Sequence, residues 1–278
     1  MRLLNIGCGT RHHPAWTNLD CVPAGPGVIV HDLRKGICFP EEHFDVVYHS
    51  HVLEHLRPAE ATALLRECHR VLRPGGILRV VVPDLEAIVR LYLEALDRAD
   101  RGEAEWAERY DWAMLELYDQ AVRETAGGEI RQWLLRPTVR AGEFVCSRMG
   151  AEGADIRAAR APVPPVALPR PSRLQRRLRL LFHPRMWREA LRWRLLGRDE
   201  YELLRLGRFR RSGEVHHWMY DRYALRRLLG SGGFVDVRQT TAQASRIPDW
   251  AAYALDSEPG GAPYKPGSLY MEALRPSA

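Results

Sequence analysis

Two rhythms of apolar and polar residues run along the first third of the chain. Short apolar runs at Arg2–Ile6, Trp16–Cys21, Val28–His31, Phe44–His49 and Ile77–Val82 read as strands. Between the last two, Leu64, Leu65, Cys68 and Leu72 recur on one helical face, which predicts a helix over Pro58–Leu72. Proline in its first turn suits a helix start, and the glycines of "RPGG" (Arg73–Gly76) stop it. Ile88, Leu91, Tyr92 and Leu96 mark a second helix from Leu85 to about Leu96, and residues 103–124 are helical in pattern. Far downstream, Asp221 is placed to cap a helix running to Leu229, and "GSGGF" ends it. Strands follow at Val235–Thr241 and Ser268–Leu274. Strands alternating with helices pack as a parallel sheet covered on both faces. The fold class is therefore α/β: a doubly wound, mostly parallel sheet of seven strands, with a helical insertion between the fifth strand and the last helix.

That order divides the chain into a core over 1–96, an insertion over 97–215 and a completion of the core over 216–278. Within the insertion, Ala154–Ser172 holds five prolines and reads as an irregular linker. A basic stretch follows, with Leu174, Leu178 and Leu181 on one helical face and Pro184 interrupting it. The net charge of +6 is unevenly placed. Between Arg157 and Arg211, sixteen arginines face Glu189, Asp199, Glu200 and Glu202, a balance of +12, which leaves −6 for the remainder. Basicity thus belongs to the insertion and not to the fold. A solvated lid is the first reading of 157–211. Contact of 173–198 with an anionic glycan, a lipid-linked substrate or a membrane surface is the second, with Trp187 and Trp193 facing that surface. Nucleic acid comes last, because no binding motif accompanies the charge.

With 46% apolar and 27% charged residues, the 278-residue chain has the composition of a globular protein. No apolar run approaches the roughly 20 residues of a membrane span, and a strand at Leu3–Ile6 leaves no room for a leader. Five cysteines without C-x-x-C spacing suggest neither a zinc site nor a disulfide framework, so a reducing cytoplasm is expected.

The chemistry begins at "LNIGCGTRHHPAWTNLD" (Leu4–Asp20). Gly7 and Gly9 allow a sharp turn after the first strand and bring backbone N–H groups near a ligand. A pyrophosphate needs a helix N-terminus behind that turn, helped by a third glycine. Here His12 takes the third glycine's place, and His13–Pro14 leaves no room for a full helix before the next strand. Asp20, at the end of that strand, is placed to accept hydrogen bonds from both ribose hydroxyls. A nucleoside with an amino-acid tail, S-adenosylmethionine, suits this loop better than NAD.

Further motifs arrive in order: "HDL" (His31–Leu33), "FDVVYHSHVLEHL" (Phe44–Leu56) and "RVLRPGGILRVVVPD" (Arg70–Asp84). With "LNIGCG" they resemble the class I S-adenosylmethionine-dependent methyltransferases of the Rossmann-like fold, in their type 11 branch. The resemblance covers 3–96 and resumes from His216. It implies that Asn5, Gly7, Cys8 and Gly9 line the cofactor's methionine end and that Asp20 holds its ribose. Asp32 and Leu33 would meet the adenine, and His49 and Ser50 would close the site. Asn5 stands where the family carries an acid, and Arg11 where it carries its last loop glycine. "SRIPDWAAYALD" and "YKPGSLYMEALRP" resemble the tails of bacterial methyltransferases of surface-polysaccharide clusters.

On the acceptor side, a helix starting near His51 would put His51, Glu54 and His55 at i, i+3 and i+4 on one face. Such a trio braces the helix, holds a general base or ligates a divalent metal, in that order of expectation. It is similar to the E-x-x-E-H motif of metal-dependent O-methyltransferases, with His51 in place of the first glutamate, a change that favours softer ions. Asp84, just past the fifth strand, either caps the next helix or deprotonates an acceptor, and His217 is a further base candidate. The chain reads as a methyltransferase acting on a sugar or glycan hydroxyl. A small aromatic or other natural product is the alternative acceptor, and a non-catalytic cofactor-binding assembly partner is the alternative class.

Overall fold

The computed structural model describes residues 1–136, 142–150, 153 and 184–277. Seven strands form one sheet: β1 (Leu3–Ile6), β2 (Thr17–Asp20), β3 (Val28–Val30), β4 (Phe44–Ser50), β5 (Leu72–Pro83), β6 (Val235–Thr240) and β7 (Ser268–Leu274). Their order across the sheet is β3-β2-β1-β4-β5-β7-β6. Pairings from β3 through β5 are parallel, and β7 runs antiparallel to both its neighbours. The order reverses between β1 and β4, the switch point outside which doubly wound sheets bind ligands at their carboxyl edge.

Helix α1 (Pro58–Val71) buries Ala61, Leu64, Leu65, Cys68 and Val71 against one sheet face, together with α7 (Arg222–Ser231). The Asp221 carboxylate caps α7 by accepting from the amides of Tyr223 and Ala224 at 2.9 and 2.7 Å. The opposite face packs Trp16, Tyr48, Trp250 and Tyr270, with Trp250 in the short helix α8 (Trp250–Tyr253). Through it runs a buried polar clamp. Arg79, wholly buried on β5, donates to Asp256 at 2.8 Å and to Glu272 at 2.7 Å, and also to the carbonyls of Ala244 and Thr241. Five donors in a fixed fork suit this multiple pairing, which an ammonium could not reproduce.

Helix α2 (Leu85–Asp100) extends past the expected boundary at 96 and packs on α3 (Ala104–Val122). Two short helices, α4 (Gly128–Leu134) and α5 (Gly142–Met149), complete a satellite core of Trp112, Trp133, Leu134 and Val145. Two expectations need correction. β5 begins at Leu72 rather than Ile77: α1 ends at Val71, one residue before the expected Leu72, and the chain passes into extended backbone at once, ahead of the glycines. Pro184 opens helix α6 (Pro184–Phe209) instead of breaking it, because a helix's first residue needs no N–H donor. The break falls at Gly197, with φ +76°. Trp187 and Trp193 on α6 are more than half exposed. The Ala154–Ser172 linker and Leu174, Leu178 and Leu181 lie outside the described residues. Among those described, no helix is long and apolar enough to cross a membrane.

Candidate active site

A cavity of about 670 Å³ opens at the carboxyl ends of β1, β4 and β5, roofed by α3, α5 and the segment before His216. Its floor is the glycine bend. Gly7 and Gly9 adopt φ of +63° and +50°, and a Cβ on Gly7 would stand 2.5 Å from Val52 Cγ2, so both conformation and space demand glycine there. The amides of Gly7 and Cys8 donate to the Leu19 carbonyl at 2.7 and 3.1 Å, and that of Gly9 donates to Asp20 Oδ2 at 2.8 Å. The bend's N–H groups are therefore already engaged, and no helix follows to present others. A phosphate cradle needs free, converging N–H donors. This loop presents none.

Asn5 also lines the cavity, and its side-chain amide donates to the Arg11 carbonyl (3.0 Å) and to Asn18 Oδ1 (3.2 Å). An ionised acid at this position could accept but not donate. Arg11 stacks on Tyr264, 3.8 Å from the ring centre, and pairs with Glu258, so its charge is already compensated. The Cys8 thiol lines the cavity and is pushed up to about 11, mainly by burial and also by Asp20, which keeps it protonated.

Several expected site residues are placed otherwise. Asp20 stands under the bend rather than in the cavity wall, its Oδ1 accepting from the Val22 amide at 3.0 Å. Asp32 caps the 3₁₀ turn Leu33–Lys35 and pairs with Arg34, and Leu33 packs against the main core; neither lines the cavity. Ser50 lines it, but His49, one residue earlier and so on the other side of the strand, is fully buried away from it. Burial alone pulls His49 down to about 4, and neither ring nitrogen finds a partner among the described residues. Asp84 spends its carboxylate on the Ala87 amide at the start of α2, as an N-cap.

The trio at His51 differs most from expectation. His51 has φ +55°, which lies outside any right-handed helix, and only Leu53–His55 form a single 3₁₀ turn before α1. The cluster that assembles is Glu54, His55 and His216, whose ligating atoms all lie within 4.8 Å of one another. His216 rather than His217 reaches the cavity. The backbone explains why: His217 and Trp218 donate their amides to the Glu54 carbonyl at 2.6 and 3.3 Å, while His216 donates to the Gln120 carbonyl at 2.9 Å. His51 still takes part, with Nδ1 3.1 Å from Glu54 Oε1 and Nε2 2.9 Å from Ser268 Oγ. Burial holds His51 well below the usual imidazole range and lowers His55, while His216 is drawn down to about 3, so all three are neutral at pH 7.

The roof supplies Glu116, Gln120, Arg123 and Arg148, with Trp112 and Met149 between them. Arg148 pairs with Glu116 at 2.5 Å. None of these could be singled out from the sequence, since the insertion carries no motif.

This sheet order, with one antiparallel strand between β5 and β6 and a glycine bend after β1, is the Rossmann-like methyltransferase fold. Residues 15–80 match a family model described as a methyltransferase domain. Over 58 residues the chain is 38% identical to a protein of Aspergillus luteorubrus named "Probable methyltransferase ltbC"; the match covers 19% of this chain and 20% of that protein. Among solved structures, it is similar to an S-adenosylmethionine-dependent methyltransferase from Archaeoglobus fulgidus, at 12% identity over 98% of this chain and 85% of the other, with a TM-score of 0.37. It is also similar to CalS10, an amino pentose methyltransferase from Micromonospora echinaspora, at 28% identity over 28% of this chain and 41% of the other, with a TM-score of 0.24. The chain thus spans about a fifth of the curated relative that it matches.

Proposed function

We propose that the chain transfers a methyl group from S-adenosylmethionine to a hydroxyl of a sugar or glycan. The observation that carries the cofactor is the occupied glycine bend: with its amides spent on Leu19 and Asp20, the floor suits an adenosine and a sulfonium amino acid, not a pyrophosphate. The methyltransferase-domain match over 15–80 includes β2 and β4 and supports the same cofactor. A cavity of about 670 Å³ can hold cofactor and acceptor together. Methyl transfer from a sulfonium is a displacement with a good leaving group, so the protein's main contribution is alignment. A hydroxyl acceptor must also lose its proton, and His51 is placed to take it. Its Nε2 lies 2.9 Å from Ser268 Oγ, which also lines the cavity, and its Nδ1 lies 3.1 Å from Glu54 Oε1. The polar roof of Glu116, Gln120, Arg123 and Arg148 suits a polyhydroxylated acceptor.

Calorimetry with S-adenosylmethionine, its demethylated product and NAD tests the pocket: the first two should bind and NAD should not. Asp20→Ala removes the side-chain acceptor that holds the Gly9 amide of the bend and should weaken the cofactor by about 10- to 100-fold, at about 1.5–3 kcal/mol for a bond to a charged acceptor; unchanged affinity would refute the assignment. Release of S-adenosylhomocysteine with sugar acceptors, against phenolic ones, tests the acceptor class, and turnover confined to phenols would overturn the glycan reading.

A further inference from the structure

One side chain behind the cavity wall, beside the lining residues His51, His55 and His216, is left in a state that the methyl-transfer reading does not explain. Glu54 is wholly buried, and neither carboxylate oxygen has a hydrogen-bond partner among the described residues. His51 Nδ1 lies 3.1 Å from Oε1 without forming a hydrogen bond, and among the described residues no arginine or lysine forms an ion pair with the carboxylate. A buried, uncompensated carboxylate carries a heavy desolvation penalty, and a cation is its natural remedy. Two imidazoles stand beside it. The ring planes of His55 and His216 cross at 79° with centroids 4.7 Å apart. His55 Nδ1 faces the Val215 carbonyl at 3.3 Å, which fixes the tautomer with Nδ1 protonated and leaves the Nε2 lone pair free, the usual outer support of a ligating histidine.

We propose that Glu54, His55 and His216 form a binding site for a divalent first-row transition ion of the zinc type, with an open coordination position towards the cavity. Two histidines and one glutamate form a donor set used by zinc where a fourth position is kept for water or substrate. Magnesium and calcium, which require oxygen ligands, are poorly served. Donors around one zinc ion at about 2.0–2.1 Å lie roughly 3.4 Å apart. Separations within 4.8 Å therefore close on a bound ion by small side-chain rotations. His55 and His216 both line the cavity, so the vacant position faces the space where an acceptor oxygen would sit.

The test uses the full chain, stripped with chelator and then titrated with Zn²⁺ by calorimetry and with Co²⁺ by visible absorption. It requires neither cofactor nor acceptor, so its outcome is independent of the methyl-transfer reading. One equivalent per chain should bind, and Co²⁺ should develop the intense visible bands of a low-symmetry imidazole site. Glu54→Gln and His216→Asn should each lower affinity by at least about 100-fold, since even outer-shell losses reach that range. His217→Asn, outside the cavity, should bind like the wild type. Zn²⁺ should raise the melting temperature of the wild type and not that of Glu54→Gln. Should either variant fail to fold, the other decides. Sub-stoichiometric binding by the wild type, or wild-type affinity in Glu54→Gln and His216→Asn, would overturn the proposal.

Discussion

Replacing His49 by leucine should flatten the acid side of the stability curve. The imidazole is fully buried on β4, and burial lowers it from 6.5 to about 4. Above pH 6.5 neither the folded nor the unfolded chain protonates it, and it costs nothing in charge. As the pH falls from 6.5 towards 4, the unfolded chain takes up the proton while the folded chain does not, so stability is lost over that window. At 1.36 kcal/mol per pK unit, the loss from this residue is about 2 kcal/mol at about pH 5, levelling at about 3 kcal/mol below pH 4. His51, His55 and His216 titrate in the same direction, so the informative quantity is the difference between wild type and variant. Leucine also removes two ring nitrogens that have no partner, which should make the variant as stable as the wild type, or more so, at neutral pH. Urea unfolding followed by tryptophan fluorescence at several pH values between about 4.5 and 7.5 measures both effects. A variant that loses as much stability as the wild type between the ends of that range would refute the assignment. So would one destabilised by 2 kcal/mol or more at neutral pH, since the imidazole would then be hydrogen-bonded in solution.

Other perturbations follow from the same coordinates. Arg79→Met leaves Asp256 and Glu272 buried without their cation and should cost about 3–5 kcal/mol by denaturant melts; adding Asp256→Asn and Glu272→Gln should recover part of that loss, and an additive triple variant would contradict the clamp. Gly7→Ala should destabilise the bend by at least about 1–2 kcal/mol, because alanine resists its φ, and should weaken S-adenosylmethionine in the same titration. Val52→Ala in that background should relieve the steric part only, and full recovery would show that φ is not limiting.

Periodicity made much of the fold legible. The apolar face of α1 was readable from Leu64, Leu65 and Cys68, and β7 has the predicted bounds because its edges pair with β5 and β6 and both of its faces are buried. Strand alternation says that His49 and Ser50 face opposite ways, but not which of them meets the cavity; that depends on which sheet face α1 covers. The His51 trio misleads because spacing assumes helical backbone, whereas a left-handed residue at 51 carries no sequence signal when it is not glycine. His216 joins Glu54 across 162 positions through pairing of the His217 and Trp218 amides with the Glu54 carbonyl, a contact that only topology creates. The cavity roof was silent because polar side chains on α3 and α5 resemble any solvated helix face until something packs above the sheet.

The backbone rung from His217 to Glu54 gives the molecule a seam. Upstream of it lies the roof, where the proposed function puts the acceptor; below it lies the floor, where it puts the cofactor, with the glycine bend held by β2. A graft exchanging the roof between the end of α2 and Glu214 would leave the floor's hydrogen bonds intact, and the seam would still return an imidazole to the same corner. Under the proposed function, acceptor choice can thus drift in evolution while the methyl donor's seat stays fixed.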